Sequence, residues 1–492
     1  MLRSESKNLK DKTITGMFWS FIERFGSLSI QFITNIVLAR LLTPADFGLI
    51  GMIMVFVAIS LVMIDGGLGA ALIQKKQPTE QDYSTIFFSN IILASIIYVS
   101  LYFASSSISS FYHQPELNRL LKVMGLILLV DSFSIVQNNI LIKKLYFRKI
   151  ARIKILAASF SSFLAILCAF FGLGVWSIAV QYLANSLLKT ILLWLRTSWT
   201  PIKVFSKNSF KELFGFGSKL LTASLLHEIY NNFQSLLIGR FFSAKDLGFY
   251  TQAYQMQRIP VNTLAVVVNQ VTFPVFSEMQ GNVETLRSGV RKSLKSLVFL
   301  NFPMMVLLAV TAKPLFILLF TAKWVPSVIY FQILCLGYGM LSIVHRTNIN
   351  VFKAAGRSDL VLYLEIVKKV LGVLLILRGM QYGIIGMIIG LSINTYLEFF
   401  LNGYFVGKII DYGIKKQFKD LYPAFLLSLA VGIIVYVTFS FSNFPLLLGL
   451  LLQVAVFLII YIAGAILLKF GAVKIYWSII KEKVFKRKIY SS

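Results

Sequence analysis

Apolar segments of about 20 residues recur along the whole chain, and that recurrence decides its fold class. A bilayer lets a backbone satisfy its hydrogen bonds in two ways, as helices or as a closed barrel. A barrel would show alternating segments of about ten residues, and this chain has none. The segments predict fourteen transmembrane helices, over 14–39, 46–66, 84–108, 118–142, 155–172, 175–195, 214–239, 247–275, 296–320, 327–352, 360–378, 384–407, 422–440 and 446–468. Only 14% of the 492 residues are charged, against about 25% in a soluble protein. The expectation is an all-α polytopic membrane protein.

The net charge of +28 would suit nucleic acid, but the Lys and Arg residues stand in short blocks between apolar spans. They read as topology signals, so no nucleic-acid partner is expected. With the N-terminus placed in the cytoplasm, 33 of them fall in inside segments and 7 in outside ones. The inside blocks include Arg3, Lys7, Lys10 and Lys12, the stretch "KKLYFRKIARIK" (143–154) and the basic tail. Both termini are therefore expected in the cytoplasm. Cys168 and Cys335 lie in apolar segments and read as inert thiols. The loops are short, with no nucleotide-binding loop and no Cys/His cluster, so neither a metal nor another cofactor is expected, and no enzymatic activity.

A charged dodecamer repeats at a spacing of 200. "LARLLTPADFGL" (38–49) returns as "IGRFFSAKDLGF" (238–249), with Arg40, Asp46 and Gly48 over Arg240, Asp246 and Gly248. "SIVQ" (134–137) matches "SIVH" (342–345), and "GVWSIAVQYLANS" (174–186) matches "GIIGMIIGLSINT" (383–395). Each half thus holds six helices, and an even number makes the halves parallel repeats about an axis along the membrane normal. The expected architecture is 6+6+2: an N-terminal six-helix lobe over 1–200, a C-terminal one over 201–410, and two extra helices with a basic tail over 411–492. The dodecamers read as structural turns. Thr43 and Ser243 are N-caps with Asp46 and Asp246 in the first turn, and Arg40 and Arg240 sit at the preceding helix C-termini.

Polar residues inside the spans fall on single faces. The first span carries Ser20, Arg24, Ser27, Gln31 and Thr34; the seventh carries Ser224, Glu228, Asn231 and Ser235; the eighth carries Thr251, Gln255, Arg258 and Asn262. Steps of three and four put each set on one stripe. An ionised side chain costs at least ~2.5 kcal/mol at mid-bilayer, so such stripes should face water or one another. The economical arrangement is a hydrated central cavity between the two repeats. Arg24 and Arg258 would there suit a phosphate or pyrophosphate, with Gln31, Asn231, Gln255 and Asn262 beside them; pairing with Glu23 or Glu228 is the competing structural role. His227 and Glu228 are neighbours able to relay a proton, and Asp131 and Glu398 are further ion-coupling candidates. Glu365 and Lys369 read as an i,i+4 pair, and Lys189 and Lys219 as snorkelling to a membrane surface.

Several stretches, in this order and spacing, resemble the Wzx-type polysaccharide flippases of the multidrug/oligosaccharidyl-lipid/polysaccharide exporter superfamily. They are "LARLLTPADFGL", "GLGAALIQ" (67–74), "GVWS" (174–177), "FGFGSKLL" (214–221), "GFYTQAYQMQRIP" (248–260), "FPVFSEM" (273–279) and "AAGRSD" (354–359). The branch is the one with colanic-acid and teichuronic-acid exporters. The resemblance implies two six-helix lobes around a cavity in a bacterial cytoplasmic membrane. It also implies export of undecaprenyl-pyrophosphate-linked oligosaccharide units to the outer leaflet by alternating access. Polysaccharide polymerase and chain-length proteins are the implied partners. Basic cavity residues would hold the anionic head group, and Arg24 and Arg258 are the ones carried over. A small-molecule antiporter and a lipid II flippase of the same fold remain alternatives, although a drug antiporter's cavity should be dominated by carboxylates.

Overall fold

A computed structural model describes residues 2–279, 281–442, 444–474, 476 and 477, without the side chains of 2–14, 17, 266–271, 273 and 358. The side chains of Arg3, Lys7, Lys10 and Lys12 and the basic tail past residue 477 therefore lie outside the described residues. Among those described, the chain is helical and contains no strand.

The helices are α1 (Leu2–Leu41), α2 (Pro44–Asp65), α3 (Leu68–Gln74), α4 (Glu80–Tyr112), α5 (Glu116–Met124), α6 (Leu126–Ser132), α7 (Ile135–Lys143), α8 (Phe147–Phe170), α9 (Val175–Arg196), α10 (Lys207–Phe241) and α11 (Ala244–Glu278). They continue with α12 (Val283–Val310), α13 (Ala312–Phe320), α14 (Ser327–Ile333), a π-helical turn Leu334–Gly339, α15 (Met340–Ala354), α16 (Ser358–Met380), α17 (Gly383–Ile410), α18 (Ile414–Ser440) and α19 (Leu446–Leu467).

Helices occupy all fourteen predicted segments, but crossing a membrane also requires apolar composition. Among the described residues nine helices meet both conditions, or ten if the pair Glu116–Ser132 and Ile135–Lys143, bent by 40°, forms one span. Three others, α1, α10 and α16, are long enough, at 40, 35 and 23 residues, yet too polar or too charged, while α11, at 35 residues, includes side chains outside those described. These include two of the three helices that carry the polar stripes, α1 and α10. For those two the shortfall has a physical cause: a helix that faces water along one side needs apolar residues only on the other.

The chain divides into two compact units, Met1–Gly248 and Phe249–Ser492. Packing puts α10 in the first unit, against α2, α3 and α4. A Cβ on Gly67 would lie 2.3 Å from the Gly217 carbonyl oxygen, so α10 reaches the α2–α3 turn only because both positions lack side chains. Leu68, Leu72, Ile86, Val136, Ile140 and Leu213 close around that crossing as a buried cluster. In the same unit α1 lies along α8, with Gly16 against the Phe147 ring and Gly26 against Ile155.

The twin turns meet each other. A Cβ on Gly48 would lie 1.7 Å from the Ala244 carbonyl oxygen, and one on Gly248 would lie 1.8 Å from the Pro44 carbonyl oxygen. Residues 44 and 48 are related to 244 and 248 by the repeat spacing of 200, so the contact is reciprocal. Both turns start their helices alike. Thr43 accepts from the Asp46 amide at 3.3 Å while Asp46 accepts from the Thr43 amide at 2.8 Å. Ser243 and Asp246 repeat this at 3.1 and 3.2 Å. Reciprocal caps satisfy two otherwise orphaned amides at each helix start.

In the second unit α16 and α17 form the tightest pair, through Gly379 against Gly386 and Gly390 against the Leu375 carbonyl. α12 packs on α18, with Gly432 admitting Val306. α19 is tied back to α12 by the Tyr461 hydroxyl, which donates to the Phe299 carbonyl at 3.0 Å.

Candidate functional site

In the first unit, α1 presents two opposite faces. At 100° per residue, Ser20, Arg24, Ser27, Gln31 and Thr34 share one side, while Phe18, Phe21, Phe25 and Ile33 lie on the other. Those four are 60%, 58%, 37% and 60% exposed, a face fit for lipid. Arg24 and Gln31 are exposed as well, so they open on the side away from that lipid face. On α10, Ser224, Glu228, Asn231 and Ser235 form the corresponding stripe, with His227 exposed beside it and Glu228 and Asn231 half-buried. Glu228 accepts from the Asn232 side-chain amide at 2.8 Å.

In the second unit, α11 carries Thr251, Gln255, Arg258 and Asn262 on one face, with Gln255 and Arg258 exposed and Asn262 half-buried. The Arg258 guanidinium stacks 5.2 Å from the Tyr254 ring centre, a contact that fixes its plane and leaves its N–H edge free.

Most deep carboxylates already have partners, which changes the charge reading. Glu23 pairs with Lys154 at 3.1 Å, so it does not neutralise its neighbour Arg24. Asp131 pairs with Lys189 at 2.8 Å and also accepts from the Ser186 hydroxyl. Lys189 is thus engaged with a partner inside its own unit. Glu365 pairs with Lys368 at 2.6 Å, three residues on, and not with Lys369. Among the described residues Arg24, Arg258, Arg346 and Lys369 carry no ion pair. Four deep cations thus stand outside ion pairs once the carboxylates have been paired.

Glu398 joins a network that the sequence alone left undetected. It lies on α17, where the Asn394 amide donates to Glu398 Oε1 at 3.0 Å. Glu398 Oε2 is 3.2 Å from His345 Nδ1 on α15. The Asn402 amide approaches the same ring nitrogen at 2.9 Å, and the opposite ring nitrogen is 4.0 Å from Glu365 Oε1 on α16. Lys368, 2% exposed, closes the set through Glu365. A ring nitrogen and a carboxylate oxygen at this distance attract when the ring nitrogen carries a proton. The Asn402 carbonyl oxygen is buried without a partner, so turning the amide over lets it serve either protonation state. His345 was visible as the last residue of "SIVH", aligned with Gln137, and Glu398 falls over Lys189 when Asn394 is set over Asn185.

The remaining predicted residues serve the turns. Thr43 and Asp46 cap α2, and Ser243 and Asp246 cap α11. Arg40 stands in the last turn of α1. Arg240, in the last turn of α10, donates to the Phe111 carbonyl at 2.6 Å and lies over the Phe111 ring.

Comparison with known proteins extends the geometry. A family model described as "Polysaccharide biosynthesis protein" matches residues 37–329. The chain is 28% identical to "Teichuronic acid biosynthesis protein TuaB" of Bacillus subtilis (strain 168), over 95% of this chain and 97% of that protein. It is 26% identical to "Lipopolysaccharide biosynthesis protein WzxC" of Escherichia coli (strain K12), over 87% of this chain and 88% of the relative. Among solved structures it is similar to "Lipid II flippase MurJ, inward closed conformation", with a TM-score of 0.77 and 16% identity over 92% of this chain and 99% of the other.

Proposed function

Because the chain belongs to the polysaccharide biosynthesis protein family, we propose that it moves undecaprenyl-pyrophosphate-linked oligosaccharide units from the cytoplasmic to the outer leaflet of a bacterial cytoplasmic membrane. The observation that carries this reading is the pair of unpaired guanidiniums, Arg24 and Arg258, on polar stripes. A pyrophosphate accepts forked, charge-assisted hydrogen bonds, and Arg offers that fork in a fixed plane. Gln31, Asn231, Gln255 and Asn262 would turn toward the head group and the first sugars. A cavity selecting cationic drugs would need free carboxylates, whereas Glu23, Asp131 and Glu365 are each bound to a lysine.

Movement proceeds by alternating access, with both termini in the cytoplasm and the lobes dividing at about residues 200 and 410. Of the ion-coupling candidates, Glu398 with His345 is the preferred site. Asp131 is locked to Lys189, whereas Glu398 has His345 and Asn394 beside it. Polysaccharide polymerase and chain-length proteins take up the unit on the outer face.

The test is transport of a fluorescent undecaprenyl-pyrophosphate-linked glycan in proteoliposomes. The wild-type chain moves it, and the double variant Arg24→Ala, Arg258→Ala does not, while still reaching the membrane in cells. Full transport by that variant removes the head-group role. Lipid II offered in the same assay is expected to stay in its leaflet, and rapid lipid II movement would replace the substrate assignment.

A further inference from the structure

The stretch "KKLYFRKIARIK" has so far served only to orient the chain. In the first unit it shapes a pocket of 420 Å³ at the corner where α7 turns into α8 beside α1. Lys144, Arg148 and Lys149 line it together with Thr15, Trp19 and Tyr146, and no carboxylate is among its lining residues. Glu23, the nearest described acid on α1, is held by Lys154. Lys143 is turned elsewhere, donating to the Leu72 and Ile73 carbonyls at 3.1 Å each.

Three exposed cations within six residues repel one another. Here two are also fixed in place. The Arg148 guanidinium lies 5.2 Å from the Trp19 ring centre, and the Lys149 ammonium 4.9 Å from that of Tyr146. Stacking holds the guanidinium by its face and leaves its edge donors pointing outward. Leu145, at φ +57°, takes a left-handed turn that side chains rarely adopt and sets Lys144 and Tyr146 on the rim. Aromatic rings beside basic residues at helix ends are the usual furniture of a membrane surface. Phe18 and Phe21, flanking Trp19, are 60% and 58% exposed and supply an apolar surface for an acyl chain.

We propose that this corner is a binding site for an anionic phospholipid, its headgroup phosphate held by Lys144, Arg148 and Lys149 and its chain lying on the Phe face of α1. The exposed Phe face favours a lipid over a free phosphate, since a soluble anion would gain nothing from it.

The experiment titrates delipidated protein in detergent with dioctanoyl phosphatidylglycerol and counts bound lipid by native mass spectrometry. The triple variant Lys144→Gln, Arg148→Gln, Lys149→Gln is expected to bind at least about tenfold more weakly, with an unchanged thermal midpoint. Dioctanoyl phosphatidylcholine is expected to bind the wild type at least about tenfold more weakly, and inorganic phosphate at the same concentration to displace none of the lipid. The control variant Lys207→Gln, Lys211→Gln, at the exposed start of α10, is expected to bind like the wild type. Binding by the triple variant within twofold of wild type overturns the site. Equal binding of phosphatidylcholine, displacement by phosphate, or equal weakening in the control each overturns the lipid assignment.

Discussion

Each unit carries a partly buried ion-pair network, and the two share one position of the internal repeat, Lys189 over Glu398, while differing in composition. In the first, Asp131 meets Lys189 and Ser186: one acid, one base, one hydroxyl, with no surplus. In the second, His345, Glu365, Lys368 and Glu398 bring two acids and one lysine around an imidazole. Where the first unit has Gln137 the second has His345, and where the first has Lys189 the second has Glu398. Those two exchanges replace an amide and an ammonium by an imidazole and a carboxylate. The network in the second unit, with two acids to one lysine, is the one proposed above for ion coupling. Arg346, Lys369 and Tyr338 also face this network electrostatically.

The sharpest way to break the comparison is Glu398→Gln. It is expected to lower gradient-driven transport by about 100-fold in proteoliposomes, with membrane insertion intact. Lys368→Met comes next: removing the one buried cation from a set with two acids should destabilise the protein by about 3 kcal/mol, read as a fall in the thermal midpoint. His345→Gln copies the first unit's residue into the second. Transport should fall about tenfold, and the residual rate should no longer respond to an imposed pH gradient that alters the wild type. The double variant Asp131→Asn, Lys189→Gln should leave transport within about threefold, because removing both partners strands neither charge. A loss as deep as that of Glu398→Gln would erase the distinction between the units. At the small end stands Arg357, just before α16, with Asp359 in its first turn, 2.7 Å apart. The guanidinium beside it holds the Asp359 carboxyl at about 2, so the pair persists until strong acid. It is fully exposed and screened, and Asp359→Asn should leave both transport and the thermal midpoint unchanged.

Periodicity made the spans, the caps and the polar stripes legible, because each depends on residues within a few turns of one another. What periodicity cannot supply is a partner on another helix. Glu23 and Lys154 are 131 residues apart and Asp131 and Lys189 are 58 apart, so their pairing exists only once α1 lies on α8 and α6 on α9. Glu365 has lysines at both i+3 and i+4, and local spacing favours the i+4 partner, Lys369. Packing decided: Lys368 is the one turned into the interior. The repeat boundary near residue 200 and the packing boundary at Gly248 differ for the same reason, since α10 repeats α1 in sequence but finds its neighbours in the first unit.

The reciprocal contact of Gly48 with residue 244 and Gly248 with residue 44 follows the rule of a two-fold dimer, in which i meets j and j meets i. One polypeptide thus meets itself as two copies of a shorter chain would. In such a pair one glycine position would serve both sides of the crossing. Here two separate positions must both be glycine, and one methyl group at either is enough to wedge the crossing apart.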